Sequence, residues 1–118
     1  MSKGYDALMG SLNMCECGSL GVVDPALVAA VSTLHYRMDE NLTVARCYVC
    51  PDCLHKYPGY GDSGHDKGTD IDLVVVGQYY RHKMLKHIAA LFPLISLTPR
   101  IFHLSVRKDW PQNAALIS

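Results

Sequence analysis

The stretch Thr69-Asp70-Ile71-Asp72-Leu73-Val74-Val75-Val76-Gly77-Gln78-Tyr79-Tyr80-Arg81-His82-Lys83-Met84-Leu85-Lys86-His87-Ile88-Ala89-Ala90-Leu91-Phe92-Pro93 decides the fold. Ile71 to Val76 is an apolar run of strand length, broken by Gly77. The spacing then changes to that of a helix over 78–92. Tyr80, Met84, Leu85, Ile88, Leu91 and Phe92 fall on one side, and Arg81, Lys83, Lys86 and His87 cover much of the rest. Pro93 stops that helix and Pro99 punctuates the loop after it. A buried strand followed by an amphipathic helix is the unit around which the other elements must pack.

Downstream, Arg100 to Val106 reads as a strand, and Trp110-Pro111 with Ala114 to Ile117 suggests a short edge strand. Upstream, residues 50–69 carry Pro51, Pro58, Gly59, Gly61, Gly64 and Gly68 and read as a long irregular loop, a feature usually tied to function. Leu42 to Val49 has the β-branched and aromatic content of a strand. Asp24-Pro25 opens a helix, with aspartate as cap and proline in the first turn. Leu27, Val28, Val31, Leu34 and Met38 give it a buried face, and Asp39-Glu40-Asn41 ends it. Cys15-Glu16-Cys17-Gly18 is a tight turn. Residues 1–14 are weakly patterned, and 1–11 are expected to be loosely ordered. The order of elements predicts one α+β domain over 1–118, with helices packed on a small, mostly antiparallel sheet.

The 118 residues are 49% hydrophobic and 19% charged, an ordinary globular composition with a formal net charge of zero. That balance offers no electrostatic footprint for nucleic acid or an anionic membrane. No run has the length of a transmembrane helix. The first residues lack a basic region followed by an apolar one, so synthesis in the cytoplasm without a signal peptide is expected. Five cysteines, an odd count, argue against a disulfide framework and for reduced thiols or a metal.

Chemistry concentrates in three groups. His65 and Asp72 bracket a glycine-containing segment, and His103 lies in an apolar strand that can pair beside 71–76. Two histidines and a carboxylate are the ligand set of a catalytic zinc with an open position. A lone strand histidine is more often a core residue; the pairing with His65-x6-Asp72 favours the ligand reading. Cys15-x-Cys17 and Cys50-x2-Cys53 form the second group, with the composition of a four-thiolate structural zinc site that leaves Cys47 spare. A nucleophilic Cys47 or Cys50 with His55 ranks below both. His35, His82 and His87 lie on helices and are expected to face solvent or cap ends.

The segment Ser63-x-His65-x-x-Gly68-x-Asp70-x-Asp72 resembles the Ser-x-His-x-x-Gly-x-Ala-x-Asp motif of the M15 family of zinc peptidoglycan peptidases, with Asp70 in place of alanine. Phe102-His103-Leu104 resembles that family's last ligand strand. Cys15-Glu16-Cys17-Gly18 and Asp24-Pro25-Ala26-Leu27-Val28 resemble the opening of its short phage endolysin-like branch. The resemblance runs from residue 12 onward. It implies a hedgehog/D-Ala-D-Ala-peptidase type of fold and Zn²⁺ held by His65, Asp72 and His103. It also implies hydrolysis of peptide bonds in the peptidoglycan stem, at the cell wall once the protein is released or exported.

The chain departs from the pattern at working positions. Val49 stands where the family has an arginine, the natural clamp for a substrate carboxylate. Arg46, on a continuous strand, would face the other way from Val49. Ser105 and Arg100 occupy places where a catalytic carboxylate is expected. Asp70 stands first among the remaining candidates for general base, ahead of Asp66 and Asp109, because it shares a strand face with Asp72. The alternative is an inactive zinc-binding interaction module built on the cysteine site.

Overall fold

In the computed structural model, which describes residues 5–54, 65–107 and 116–117, the sheet is built on β2 (Asp70–Val74) and β4 (Ile101–Ser105). β1 (Thr43–Arg46) pairs on the outer side of β2, and β3 (Leu94–Leu97) on the outer side of β4. These four strands run antiparallel to their neighbours, and β5 (Leu116–Ile117) adds in parallel to β3. The helices are α1 (Tyr5–Ser11), α2 (Pro25–Met38), α3 (Pro51–Leu54) and α4 (Gln78–Leu91). The fold is therefore α+β with a small, mainly antiparallel sheet.

Strand alternation sorts the sheet into two faces. Ile71, Leu73, Phe102 and Leu104 are fully buried against Leu27, Val31, Leu34 and Met38 of α2 and Met84 and Ile88 of α4. Each such side chain contributes about 1.5–3 kcal/mol by leaving water. Arg81 of α4 lies 4.7 Å above the Phe102 ring and donates to the Thr98 carbonyl at 2.8 Å, tying the helix to the β3–β4 turn. The opposite face presents Asp70, Asp72, His103 and Ser105, which occupy opposed register positions in β2 and β4. Asp70, Asp72 and Ser105 are buried there as well, so β2 is covered on both sides.

The helix boundaries of α2 follow from its ends. The Asp24 carboxylate accepts from the Ala26 amide at 2.8 Å, and Asp39 closes the helix with a left-handed backbone at φ 52°. Its buried face is rotated from the expected one: Val28 is exposed, while Ala30 and His35 are buried. The cause is α1. Tyr5 of α1 stacks on His35 at 5.5 Å and its hydroxyl pairs with Ser32 at 2.9 Å, so α2 is covered on a side that its own periodicity does not mark. Leu8 of α1 and Leu12 just beyond it join the core, in a region whose sequence is weakly patterned. His82, by contrast, is exposed as expected.

Two expected loops contain structure. The segment after Pro93 forms β3, because the two prolines flank the strand and remove no hydrogen bond from its ladder. The stretch 50–69 holds α3 and a 3-10 turn at His65–Lys67. Pro51 suits the first position of α3, where an amide would have no helical partner. Ser63 and His55 lie outside the described residues, as do most of the expected final strand residues.

Candidate metal centres

His65, Asp72 and His103 converge, each offering one ligand atom within 4.8 Å of the others. Asp72 and His103 are directly opposed in the β2–β4 register, so the sheet itself sets their separation. Asp72 Oδ1 is 2.5 Å from His103 Nδ1, and its Oδ2 is 3.4 Å from His65 Nε2. One carboxylate thus stands between two imidazoles whose centres are 5.1 Å apart.

His65 reaches the sheet from the 3-10 turn and is completely buried. Its Nδ1 pairs with the Cys47 carbonyl at 2.7 Å, which makes Nδ1 the protonated nitrogen and turns the lone pair of Nε2 toward Asp72. Gly68 lets the chain pass from this turn into β2. Its φ is +73°, and a β-carbon there would lie 2.1 Å from the Val22 carbonyl oxygen. The Asp24 amide donates to the Gly68 carbonyl at 2.9 Å, fastening the turn to the start of α2.

Asp70 is fully buried and both its oxygens are engaged. Oδ2 accepts from His103 Nε2 at 2.7 Å, and Oδ1 accepts from the hydroxyls of Ser105 at 2.6 Å and Thr69 at 2.8 Å. A carboxylate so committed orients His103 from behind, leaving Nδ1 toward the shared centre. Asp70, the general-base candidate read from its strand face, thus has both oxygens engaged by neighbouring side chains in this arrangement. Ser105 supports Asp70, and Arg100 is exposed before β4. Asp70 and Asp72 are the carboxylates that touch the two histidines among the described contacts.

The electrostatics match a cation site. Burial works against ionising Asp72, yet the hydrogen bond from His103 and the neighbouring His65 imidazole hold its carboxyl well below the usual range. Burial likewise opposes charging His103, but the carboxylates of Asp70 and Asp72 raise it to about 9. The pair of buried carboxylates therefore retains positive charge between them, as a proton or as a metal ion in its place.

Cys15, Cys17, Cys50 and Cys53 form a second group whose sulfurs also lie within 4.8 Å of one another, close enough to hold a metal ion. Cys15 and Cys17 come from the turn after α1, where Gly18 at φ 92° allows its amide to reach back to the Cys15 carbonyl. Cys50 immediately precedes α3 and Cys53 lies within it. Cys17 Sγ is 3.7 Å from Cys50 Sγ, far beyond a disulfide, and the Cys50 amide donates to Cys15 Sγ at 3.3 Å. Ser19 donors lower the Cys17 thiol to about 6, while neighbouring thiols push Cys53 up to about 12. Sulfurs crowded in this way share protons that a cation displaces.

Cys47 takes part in neither group. Burial, with Asp72 and Asp70 nearby, pushes its thiol up to about 12, which favours the neutral form. Val49 packs with Cys15, Cys50, Cys53 and Leu54. β1 ends at Arg46, after a bulge that sets Arg46 opposite Asp72, so strand alternation does not carry from Arg46 to Val49. Arg46 and Val49 both line a cleft of about 210 Å³ with Ser11, Met14, Glu16 and Tyr48. One site feature had no signal in the sequence, the Cys47 carbonyl behind His65; for Asp70 alternation marks the strand face but not the bond to His103. No helix among the described residues is long and apolar enough to cross a membrane. No family model matches the chain, and neither a curated protein nor a solved structure matches it.

Proposed function

We propose that the chain is a zinc-dependent peptidase acting on peptide bonds of the peptidoglycan stem, with the hedgehog/D-Ala-D-Ala-peptidase type of α+β fold. The observation that carries the metal part is the convergence of His65, Asp72 and His103, with Asp70 holding His103 from behind. The donor set fits the ion: two neutral imidazoles and a carboxylate are zinc ligands, and three protein ligands leave a position for substrate. The substrate class rests on the resemblance of Ser63 to Asp72 and of the His103 strand to cell-wall peptidases. A chain made in the cytoplasm would reach that substrate on release.

When bound, zinc supplies Lewis acidity that polarises a scissile carbonyl and acidifies water. The chain's own residues do the rest. The Cys47 carbonyl fixes the tautomer of His65, and Asp70 holds the proton of His103 on Nε2. The β2–β4 register keeps Asp72 between the two rings. His103, partly open to solvent while His65 is closed off, gives the direction from which a substrate approaches.

A second reading is an inactive zinc-binding interaction module. The engagement of both Asp70 oxygens, with Ser105 and Arg100 at the places expected for a base, favours it. Digestion of purified sacculi by the zinc-loaded chain decides between them. Mass spectrometry is expected to find released stem-peptide fragments with the wild type and none with His65→Ala. Intact sacculi after incubation with folded, zinc-loaded wild type would sink the peptidase reading in favour of the module.

A further inference from the structure

The strap Cys47-Tyr48-Val49-Cys50 runs between the two metal centres, and its successive backbone groups alternate between them. The Cys47 carbonyl takes the Nδ1 proton of His65, and the Val49 amide donates to the His65 carbonyl at 3.3 Å. Between and after these, the Tyr48 amide donates to the Leu12 carbonyl at 3.1 Å and the Cys50 amide donates to Cys15 Sγ at 3.3 Å. Both ends of His65, ring and main chain, are thus held by a strap whose other contacts go to the cysteine-bearing turn. Gly21 adds a close approach, since a β-carbon there would lie 2.3 Å from the Tyr48 ring.

The four sulfurs suit one tetrahedral zinc ion. Zn–S bonds of about 2.3 Å set sulfurs about 3.8 Å apart, close to the Cys17–Cys50 separation of 3.7 Å. The Cys50 amide pointing at Cys15 Sγ supplies the hydrogen bond that a thiolate needs when its charge is partly buried. Cys15, Cys50 and Cys53 are buried together with Val49 and Leu54 while Cys17 lies at the surface, and four protein sulfurs leave no position for a substrate, which fits a structural ion rather than a catalytic one.

We propose that Cys15, Cys17, Cys50 and Cys53 bind a structural zinc ion that fixes the 47–50 strap and through it positions His65, so that the histidine centre binds its own metal tightly only when the thiolate site is filled. Cys47 and Val49 act here through their main chain, as positioning groups. The coupling rests on the metal reading of the histidine centre given above; the thiolate site does not.

Cobalt(II) replaces zinc in the test on the full chain, because thiolate ligation gives an intense sulfur-to-metal absorption that histidine and aspartate do not. Wild type is expected to bind two ions, one with that absorption. Cys17→Ser alters the exposed ligand and so spares the core. It is expected to lose the absorption, keep its far-ultraviolet circular dichroism and bind the second ion at least about 10-fold more weakly. Cys47→Ala removes a strap thiol but no cluster sulfur and is expected to keep both ions. Titrating wild-type thiols with an organomercurial needs no substitution and is expected to weaken the second ion as the first is released. Wild type without the sulfur absorption overturns the site. Loss of the absorption in Cys17→Ser with the second ion held as tightly as before overturns the coupling. Sulfur absorption with no second ion overturns the coupling and the peptidase reading together, and leaves the thiolate site standing.

Discussion

The two candidate centres are built by different means. In the histidine centre, Asp72 and His103 are opposed residues of paired central strands, and only His65 arrives from a turn. In the cysteine centre every sulfur comes from a turn, from the single-turn helix α3 or from the residue before it. Strand register positions donors through a ladder of backbone bonds whose cost is met by the core on the far face. Turns leave donors dependent on local bonds, so an ion there contributes to folding directly. The histidine centre should therefore keep its shape without metal except at His65, its one tethered ligand.

The largest effect is expected where that tether is attacked. Gly68→Ala forces a β-carbon to within 2.1 Å of the Val22 carbonyl oxygen at a left-handed backbone angle. Strain and overpacking together cost about 3 kcal/mol or more. Relief requires Gly68 to part from residues 22–23, which stretches the Asp24–Gly68 bond and draws His65 from the sheet. Urea unfolding should show the lost stability, and metal titration should show a weakened histidine centre beside an unchanged thiolate centre. Equal weakening of both would mean that the tether is shared and the contrast between the centres is false.

Much of this contrast is legible in the sequence, because register and helical periodicity are. The apolar run after Ile71, the helix between Gly77 and Pro93 and the alternation Ile101-His103-Ser105 put Asp72 and His103 on strands that can pair; their direct opposition comes from the register. Cysteine spacing likewise groups the four thiols. What is hidden depends on partners in space. Leu8 and Leu12 carry too short a pattern to announce α1, and without α1 nothing signals that His35 is buried and Val28 is not. Prolines at both ends disguise β3 as a loop. Alternation gives the face of Asp70 but not its occupation by His103, Ser105 and Thr69, which needs the neighbouring strand's register.

An intermediate effect is expected at Asp70. Asp70→Asn keeps the size of the side chain but removes the charge that accepts from His103 Nε2. Loss of an orienting carboxylate typically lowers metal affinity about 10–100-fold. Competition with a chelator of known affinity should find that loss in the histidine centre alone. Unaltered affinity would mean that the strand register holds His103 by itself, sharpening the comparison beyond the role assigned to Asp70.

The smallest effect isolates main chain from side chain at the tether. Two bonds of Asp24 separate side chain from main chain: its carboxylate caps α2 through the Ala26 amide, and its own amide donates to the Gly68 carbonyl. Asp24→Ala deletes the first and leaves the second. Losing the cap costs about 1 kcal/mol, read as a lower urea midpoint with an unchanged slope. Metal affinity at both centres should stay as in the wild type, because the bond that holds Gly68, and with it His65, belongs to the backbone. A fall in the affinity of the histidine centre would mean that the α2 cap itself supports the turn. His65 would then depend on the helix start as much as on the strap, and the tether would extend into the core that carries the sheet.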